Sequence, residues 1–247
     1  MIKQIFVVLI GLGLLSFMKP SHKLRIFMAG DSTMSNYDTS KTPQRGWGQI
    51  FHQFFNKDVE VINLARGGRS TKSFIAEGLW DKLMWQVQKD DWVFIEFGHN
   101  DHDTRKPERF CTPDEYEQNL IRMVHDVQAK GGHAILLTPI AMRSFNKDGS
   151  YRDGHGAYPA HVKTAAKKMG VPFIDADSLL GAKIEMLGEE SSKGYYMNFG
   201  PGLYKLFPEG HVDNTHLRTP GALEICALVA NKIKELQITP INQFLKQ

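Results

Sequence analysis

Five short runs rich in branched and aromatic residues recur along this chain, at residues 24–29, 59–63, 92–97, 133–138 and 172–174, each bounded by Gly, Asn, Asp or Pro. They read as buried strands. Between them lie segments with helical spacing of apolar residues, at 47–55, 74–87, 116–128 and 162–169, and a last helix is expected from about 220 to 236. Pro220 suits the first turn of that helix and Thr219 its cap. Strands alternating with helices place the helices on both faces of a sheet. The predicted fold is therefore α/β, a three-layer α/β/α sandwich around a mainly parallel five-stranded sheet. In such sheets ligands bind beyond the carboxyl ends of the strands. Residues 142–158 and 188–214 break the alternation. They are dense in Gly, Asp, Asn, Tyr and Pro and read as long surface loops of functional length.

The amino terminus joins Lys3 to an apolar run at 5–15 that stops near Lys19-Pro20. That is the pattern of a secretory signal peptide, expected over 1–21, and the run is shorter than the roughly 20 apolar residues of a membrane span. A retained anchor is the competing reading. The expectation is an exported protein, periplasmic or extracellular, without stable membrane insertion, whose residues 22–247 form one domain. The formal charge of +3 would fall by the two lysines to about +1, too little for a nucleic-acid binder. Cys111 and Cys226 could pair or stay reduced after export. Neither has metal-ligand spacing, so a zinc site has no support and no metal is expected.

Chemistry-bearing residues gather at the predicted strand ends. The first strand ends in Gly30-Asp31-Ser32, which puts a hydroxyl where glycine permits a tight turn. Alone this is also an ordinary turn and cap sequence, and the Gly-x-Ser-x-Gly elbow of other α/β hydrolases is absent. The second strand leads into Ala65-Arg66-Gly67-Gly68-Arg69-Ser70 and the third into Gly98-His99-Asn100-Asp101. The Gly68 N–H and the Asn100 amide could supply oxyanion donors, or serve only as turn and cap. Asp213-Asn214-Thr215-His216 precedes the last helix, a spacing that lets the carboxylate hold the imidazole while its other nitrogen faces outward as a base.

Together these four blocks resemble the SGNH, or GDSL, hydrolases, and the resemblance spans essentially the whole chain after the leader. It implies a flavodoxin-like sandwich and a cofactor-free acyl transfer. Ser32 would be the nucleophile, His216 the base and Asp213 its orienting acid, with the Ser32 and Gly68 amides and the Asn100 side chain as the oxyanion hole. Within the superfamily the chain looks most like the rhamnogalacturonan acetylesterases. The residues behind this are Gly68-Arg69-Ser70, Phe97-Gly98-His99-Asn100-Asp101, Asp153-Gly154-His155-Gly156-Ala157-Tyr158-Pro159, Pro172-Phe173-Ile174-Asp175, Leu187-Gly188 and Pro208-Glu209-Gly210. The implied partner is an acetylated polysaccharide or oligosaccharide. A xylan acetylesterase, a lipase or lysophospholipase, and a carbohydrate-binding module with a vestigial site are the alternatives.

Substrate-binding residues are not assigned. Trp47, Trp80 and Trp85 are expected in the core, because they fall on helical segments. Arg69 and Arg143 could meet a uronate or merely be solvated. His99 is read as structural, and His155 and Tyr158 are left open.

Overall fold

The computed structural model describes residues 23–246, so the leader expected over 1–21 lies outside the described residues. Five strands form one parallel sheet: β1 (Leu24–Gly30), β2 (Val59–Asn63), β3 (Trp92–Glu96), β4 (His133–Leu137) and β5 (Phe173–Ile174), in the order β2-β1-β3-β4-β5. The order reverses between β1 and β3, which makes their carboxyl ends the topological switch point where such sheets open a crevice.

Period-two alternation divides the core. Ile26, Met28, Phe94, Ile135 and Leu137 face one side and pack with α1 (Trp47–Ile50), α6 (Ala176–Ser192) and α7 (Thr219–Glu235). Phe27, Ala29, Val93, Ile95 and Leu136 face the other and meet α2 (Thr71–Ala76), α3 (Leu79–Gln86), α4 (Pro113–Ala129) and α5 (Tyr158–Met169). Cys226 lies in the first layer and Cys111 in the second, both buried and free. The sheet stands between them, which settles the pairing left open by the sequence.

The fold class matches the expectation, and several element boundaries do not. The segment expected as a helix over 74–87 is two helices, α2 and α3, because Gly78 takes a left-handed conformation at φ 67°. At 47–55 only α1 is α-helical, followed by a 3₁₀ turn from Phe51 to Phe54. Helix α6 breaks at Gly188, with φ 76° and ψ 173°, where the irregular segment is expected to start, and a short helical stretch then continues to Ser192. Thr219 is the first residue of α7 and Arg218 occupies the cap position, with no side-chain capping bond. Trp47 and Trp80 are fully buried, but Trp85 is 85% exposed. Its place on α3 puts it on the outer face, a rotation that apolar periodicity over a merged helix could not fix.

The turn after β1 is locked by a close approach. A methyl group on Gly46 would stand 2.0 Å from the Ser35 carbonyl oxygen and 2.5 Å from the Met34 carbonyl carbon, both backbone atoms that cannot swing aside. Gly46→Ala is expected to cost about 2–3 kcal/mol through overpacking, read as a fall in Tm of several degrees. An unchanged Tm would show that the turn has slack.

Candidate active site

Ser32 stands directly beyond β1, in a turn closed by hydrogen bonds from Ser35 N and Ser35 Oγ to the Asp31 carbonyl at 3.1 and 2.6 Å. Tyr37 donates its hydroxyl hydrogen to the Ser32 carbonyl at 2.7 Å. From the other end of the chain, His216 places Nε2 2.9 Å from Ser32 Oγ. Its Nδ1 lies 2.7 Å from Asp213 Oδ2. The carboxylate is aimed by its own turn: Asp213 Oδ1 accepts from the backbone N–H groups of Thr215 at 2.8 Å and His216 at 3.0 Å. Ser32, His216 and Asp213 thus form one continuous hydrogen-bonded series.

The loop carrying Asp213 and His216 has no regular structure, so side chains from elsewhere hold it. Arg143 is buried, donates from Nη1 to Asn214 Oδ1 and from Nε to Ser192 Oγ, both at 3.1 Å, and also donates to the Glu189 carbonyl. Asn198 donates to the Asp213 carbonyl at 3.0 Å and to Asn214 Oδ1 at 2.8 Å. Arg143 is therefore neither solvated nor free to meet a uronate. It braces the histidine loop across 71 residues of sequence.

The electrostatics follow from this geometry. Burial works to raise the Asp213 carboxyl, but the hydrogen bond and charge of His216 prevail and hold it at about 2. Burial works to lower His216, and the hydrogen bond and charge of Asp213, with the more distant Asp31, raise it above its ordinary value. Each partner stabilises the charged form of the other.

Gly67, Gly68 and Asn100 stand at the exits of β2 and β3, the strands on either side of β1. Gly67 lies against Ser32: a methyl group there would be 3.7 Å from its Cβ. Gly68 follows with φ 76°, and its carbonyl accepts from Arg109 Nη1 at 3.2 Å. Asn100 is buried and donates one amide hydrogen to the Arg69 carbonyl at 2.9 Å, tying the exit of β3 to the exit of β2. Arg69 is itself committed, to Glu77 at 3.0 Å and to the Gly67 carbonyl at 2.9 Å. Asp101 Oδ1 accepts from the Thr71 N–H and hydroxyl at 2.9 and 2.6 Å and so anchors the start of α2. Tyr158 bonds the Asp101 and Cys111 carbonyls, a packing role. His99 and His155 are joined, Nδ1 to Nε2, at 3.2 Å.

The sequence carries no signal for the site-forming roles of Tyr37, Arg143 and Asn198. Each acts through a contact with distant or irregular backbone and has no motif of its own.

A hydroxyl, an imidazole and a carboxylate in series at the crevice of a parallel sheet define a hydrolase of the acyl-transfer class. The chain belongs to the GDSL-like lipase/acylhydrolase family, whose model matches residues 28–211. That match includes Ser32, Gly68 and Asn100 and stops just short of Asp213 and His216. The chain is 36% identical to the rhamnogalacturonan acetylesterase RhgT of Bacillus subtilis (strain 168), over 86% of this chain and 90% of that one. It is 35% identical to the probable rhamnogalacturonan acetylesterase YesY of the same organism, over 90% and 98%. Among crystal structures, the Bacillus subtilis protein YxiM superposes with a TM-score of 0.77 at 25% identity, covering 88% of this chain and 58% of that one. An acetyl-xylooligosaccharide esterase of Geobacillus, at 18% identity and TM-score 0.62 over 86% and 96% of the two chains, shares the fold.

Proposed function

We propose that this protein is an exported serine acetylesterase that removes acetyl groups from rhamnogalacturonan, with Ser32 as nucleophile, His216 as base and Asp213 as its orienting acid. The observation that carries the reading is the series Asp213–His216–Ser32 at 2.7 and 2.9 Å. His216 takes the Ser32 proton as Oγ attacks the ester carbonyl. The oxyanion is met by the Ser32 and Gly68 amides and the second Asn100 amide hydrogen. The sugar hydroxyl leaves with the proton from His216, and water, activated by the same imidazole, releases acetate. Among the described residues no helix is long and apolar enough to cross a membrane.

The pectic substrate is supported by the two Bacillus relatives and by the groove beside the nucleophile. That groove, of about 560 Å³, is lined by Asn36, Tyr37, Asn63, Arg66, Gly67 and Lys82 among others. Arg66 and Lys82 are exposed. Two exposed cations in this groove, whose Gly67 wall lies against Ser32, suit the galacturonate carboxylates of a pectic chain and offer nothing to a neutral xylan.

The test is acetate release from acetylated rhamnogalacturonan, acetylated xylan and a long-chain acyl ester in parallel. Preference for the pectic substrate is expected. Arg66→Gln should lower kcat/KM on it roughly tenfold, the loss of one charge-assisted contact, and leave a small neutral acetyl ester unaffected. Equal rates on xylan would move the substrate while keeping the chemistry. No release from any ester would favour a carbohydrate-binding module.

A further inference from the structure

A second groove opens at the same edge of the sheet. It holds about 420 Å³ and lies between the loop after β1, residues 204–206, and the start of α7 at Arg218, Thr219 and Pro220. The loop after β1 walls both grooves. Its Ser35, Asn36 and Tyr37 line the one that holds Arg66 and Lys82, and its residues from Thr39 to Arg45 line this one. Two features tie the second groove to His216. The Arg45 N–H donates to the Leu217 carbonyl at 2.9 Å. Arg218 follows His216 by two residues, a separation of at most about 7 Å between their Cα atoms.

Charge sets this groove apart. Its lining carries four cations, Lys41, Arg45, Lys205 and Arg218, and no carboxylate. Of the four, Lys41 alone has an acidic partner among the described residues, Asp38 at 3.0 Å, in an exposed pair. The two arginines are held by backbone carbonyls, which fix a guanidinium without cancelling its charge. Arg45 Nη1 donates to the Thr42 carbonyl at 2.8 Å and to the Gln44 carbonyl. Both Nη1 hydrogens are then used, and the edge formed by Nε and Nη2 remains. Arg218 donates from Nε to the Tyr196 carbonyl at 2.9 Å and from Nη2 to the Lys193 carbonyl at 3.4 Å. It also stands over the Phe199 ring at 5.8 Å, and its Nη1 hydrogens remain. Such planar donor pairs are what a carboxylate accepts in two parallel bonds. Like charges gathered in one groove repel, and an anion between them turns that repulsion into binding.

The walls suit a sugar. Tyr204 is half-buried, with its ring edge-on to Phe199 at a centroid distance of 4.6 Å. Phe207 and His211 complete that aromatic cluster, and Phe199 and His211 exchange both backbone hydrogen bonds at 2.9 Å, which fixes a wall that has no helix or strand of its own. Pro43, Pro220 and the exposed Leu206 add apolar surface between the charges. Aromatic and aliphatic surface meets the faces of a pyranose ring, and forked donors meet its carboxylate. We infer that this groove is a second uronate-binding subsite, in which Arg45, Arg218 and Lys205 hold a carboxylate of the same glycan whose acetylated residue lies at Ser32. The inference rests on the pectic reading of the substrate and deepens it. With cations in both grooves walled by the loop after β1, the protein grips a polymer at two places and favours long chains over short ones.

The experiment is calorimetric titration of the full-length protein with deacetylated rhamnogalacturonan oligomers of increasing length, which carry no ester and so report binding without turnover. The same oligomers with their carboxylates reduced to alcohols, and inorganic phosphate, are the comparison probes. Affinity is expected to rise by about tenfold once an oligomer is long enough to reach both grooves. That gain should shrink as salt rises and vanish when the carboxylates are reduced. Lys205→Glu should remove it, weakening long oligomers by about tenfold while short ones bind as before. Lys205 is exposed and has no hydrogen-bond or ionic partner among the described residues, so Tm should hold. Arg45→Gln should give the same loss, and in both variants the ratio of kcat/KM on acetylated polymer to that on a small acetyl ester should fall by the same factor. Long and short oligomers that bind alike, reduced oligomers that bind as well as the acidic ones, or a Lys205→Glu variant that binds long oligomers unchanged would each overturn the inference. Displacement of the oligomers by an equal concentration of phosphate would do so too, as the mark of a general anion site. The two readings fail separately. A protein that binds in the expected way and releases no acetate keeps the subsite and refutes the esterase, whereas pectic preference untouched by Lys205→Glu refutes the subsite alone.

Discussion

Ser32→Ala is expected to lower kcat by about 10⁶-fold and to leave the fold intact. The size of the loss follows from how nucleophile and base act as a unit: losing one costs nearly as much as losing all, and what survives is the modest catalysis of the oxyanion donors and of binding. Ser32 is only partly buried, and its hydroxyl contributes one hydrogen bond, to His216 at 2.9 Å. Its removal should change stability by no more than about 1 kcal/mol. The check is acetate release under saturating substrate beside a thermal melt. Activity within tenfold of the unaltered protein at an unchanged Tm would require a different nucleophile.

Asp213→Asn is expected to cost about 10⁴-fold, for a different reason. The carboxylate accepts the Nδ1 hydrogen of His216 at 2.7 Å and so leaves Nε2 free to take the Ser32 proton. An asparagine amide in the same place can donate to Nδ1, which moves the ring hydrogen to Nε2 and faces the nucleophile with a donor where a base is required. The pH dependence follows from the same contact. His216 is raised by Asp213, so without that charge its acid limb should move to lower pH even as the plateau falls. A limb that stayed in place would mean that Asp213 does not act on His216.

Stability couples to the pair with opposite signs. Asp213, held at about 2, contributes stability that is complete above its ordinary value of 3.8 and is lost as pH falls toward 2. His216, raised, contributes stability that is complete below its ordinary value of 6.5 and is lost as pH rises through its value in the fold.

Much of the site is legible in the sequence because its parts are short, local and fixed to strand ends. Gly30-Asp31-Ser32 follows a run whose Ile26 and Met28 face one layer and Phe27 and Ala29 the other, and that alternation both marks the strand and locates its end. Asp213 and His216 are three residues apart, so their contact depends on one turn. Helix boundaries are less legible. The break at Gly78 lies between two segments that each continue an apolar spacing, and a left-handed glycine leaves no trace in hydrophobicity. Trp85 illustrates the same limit, since its outward direction depends on where α3 begins.

The sequence by itself determined the strand and helix alternation, the three-layer class and the chemical groups at the strand ends, because periodicity and turn chemistry act over a few residues. Only the tertiary structure decided what joins residues far apart. It separated Cys111 from Cys226 by the thickness of the sheet, buried Arg143 against the histidine loop, brought His216 within 2.9 Å of Ser32 across 184 residues, and linked His99 to His155 and Asp177. Those contacts follow from how whole layers pack, and no local pattern in the chain encodes them.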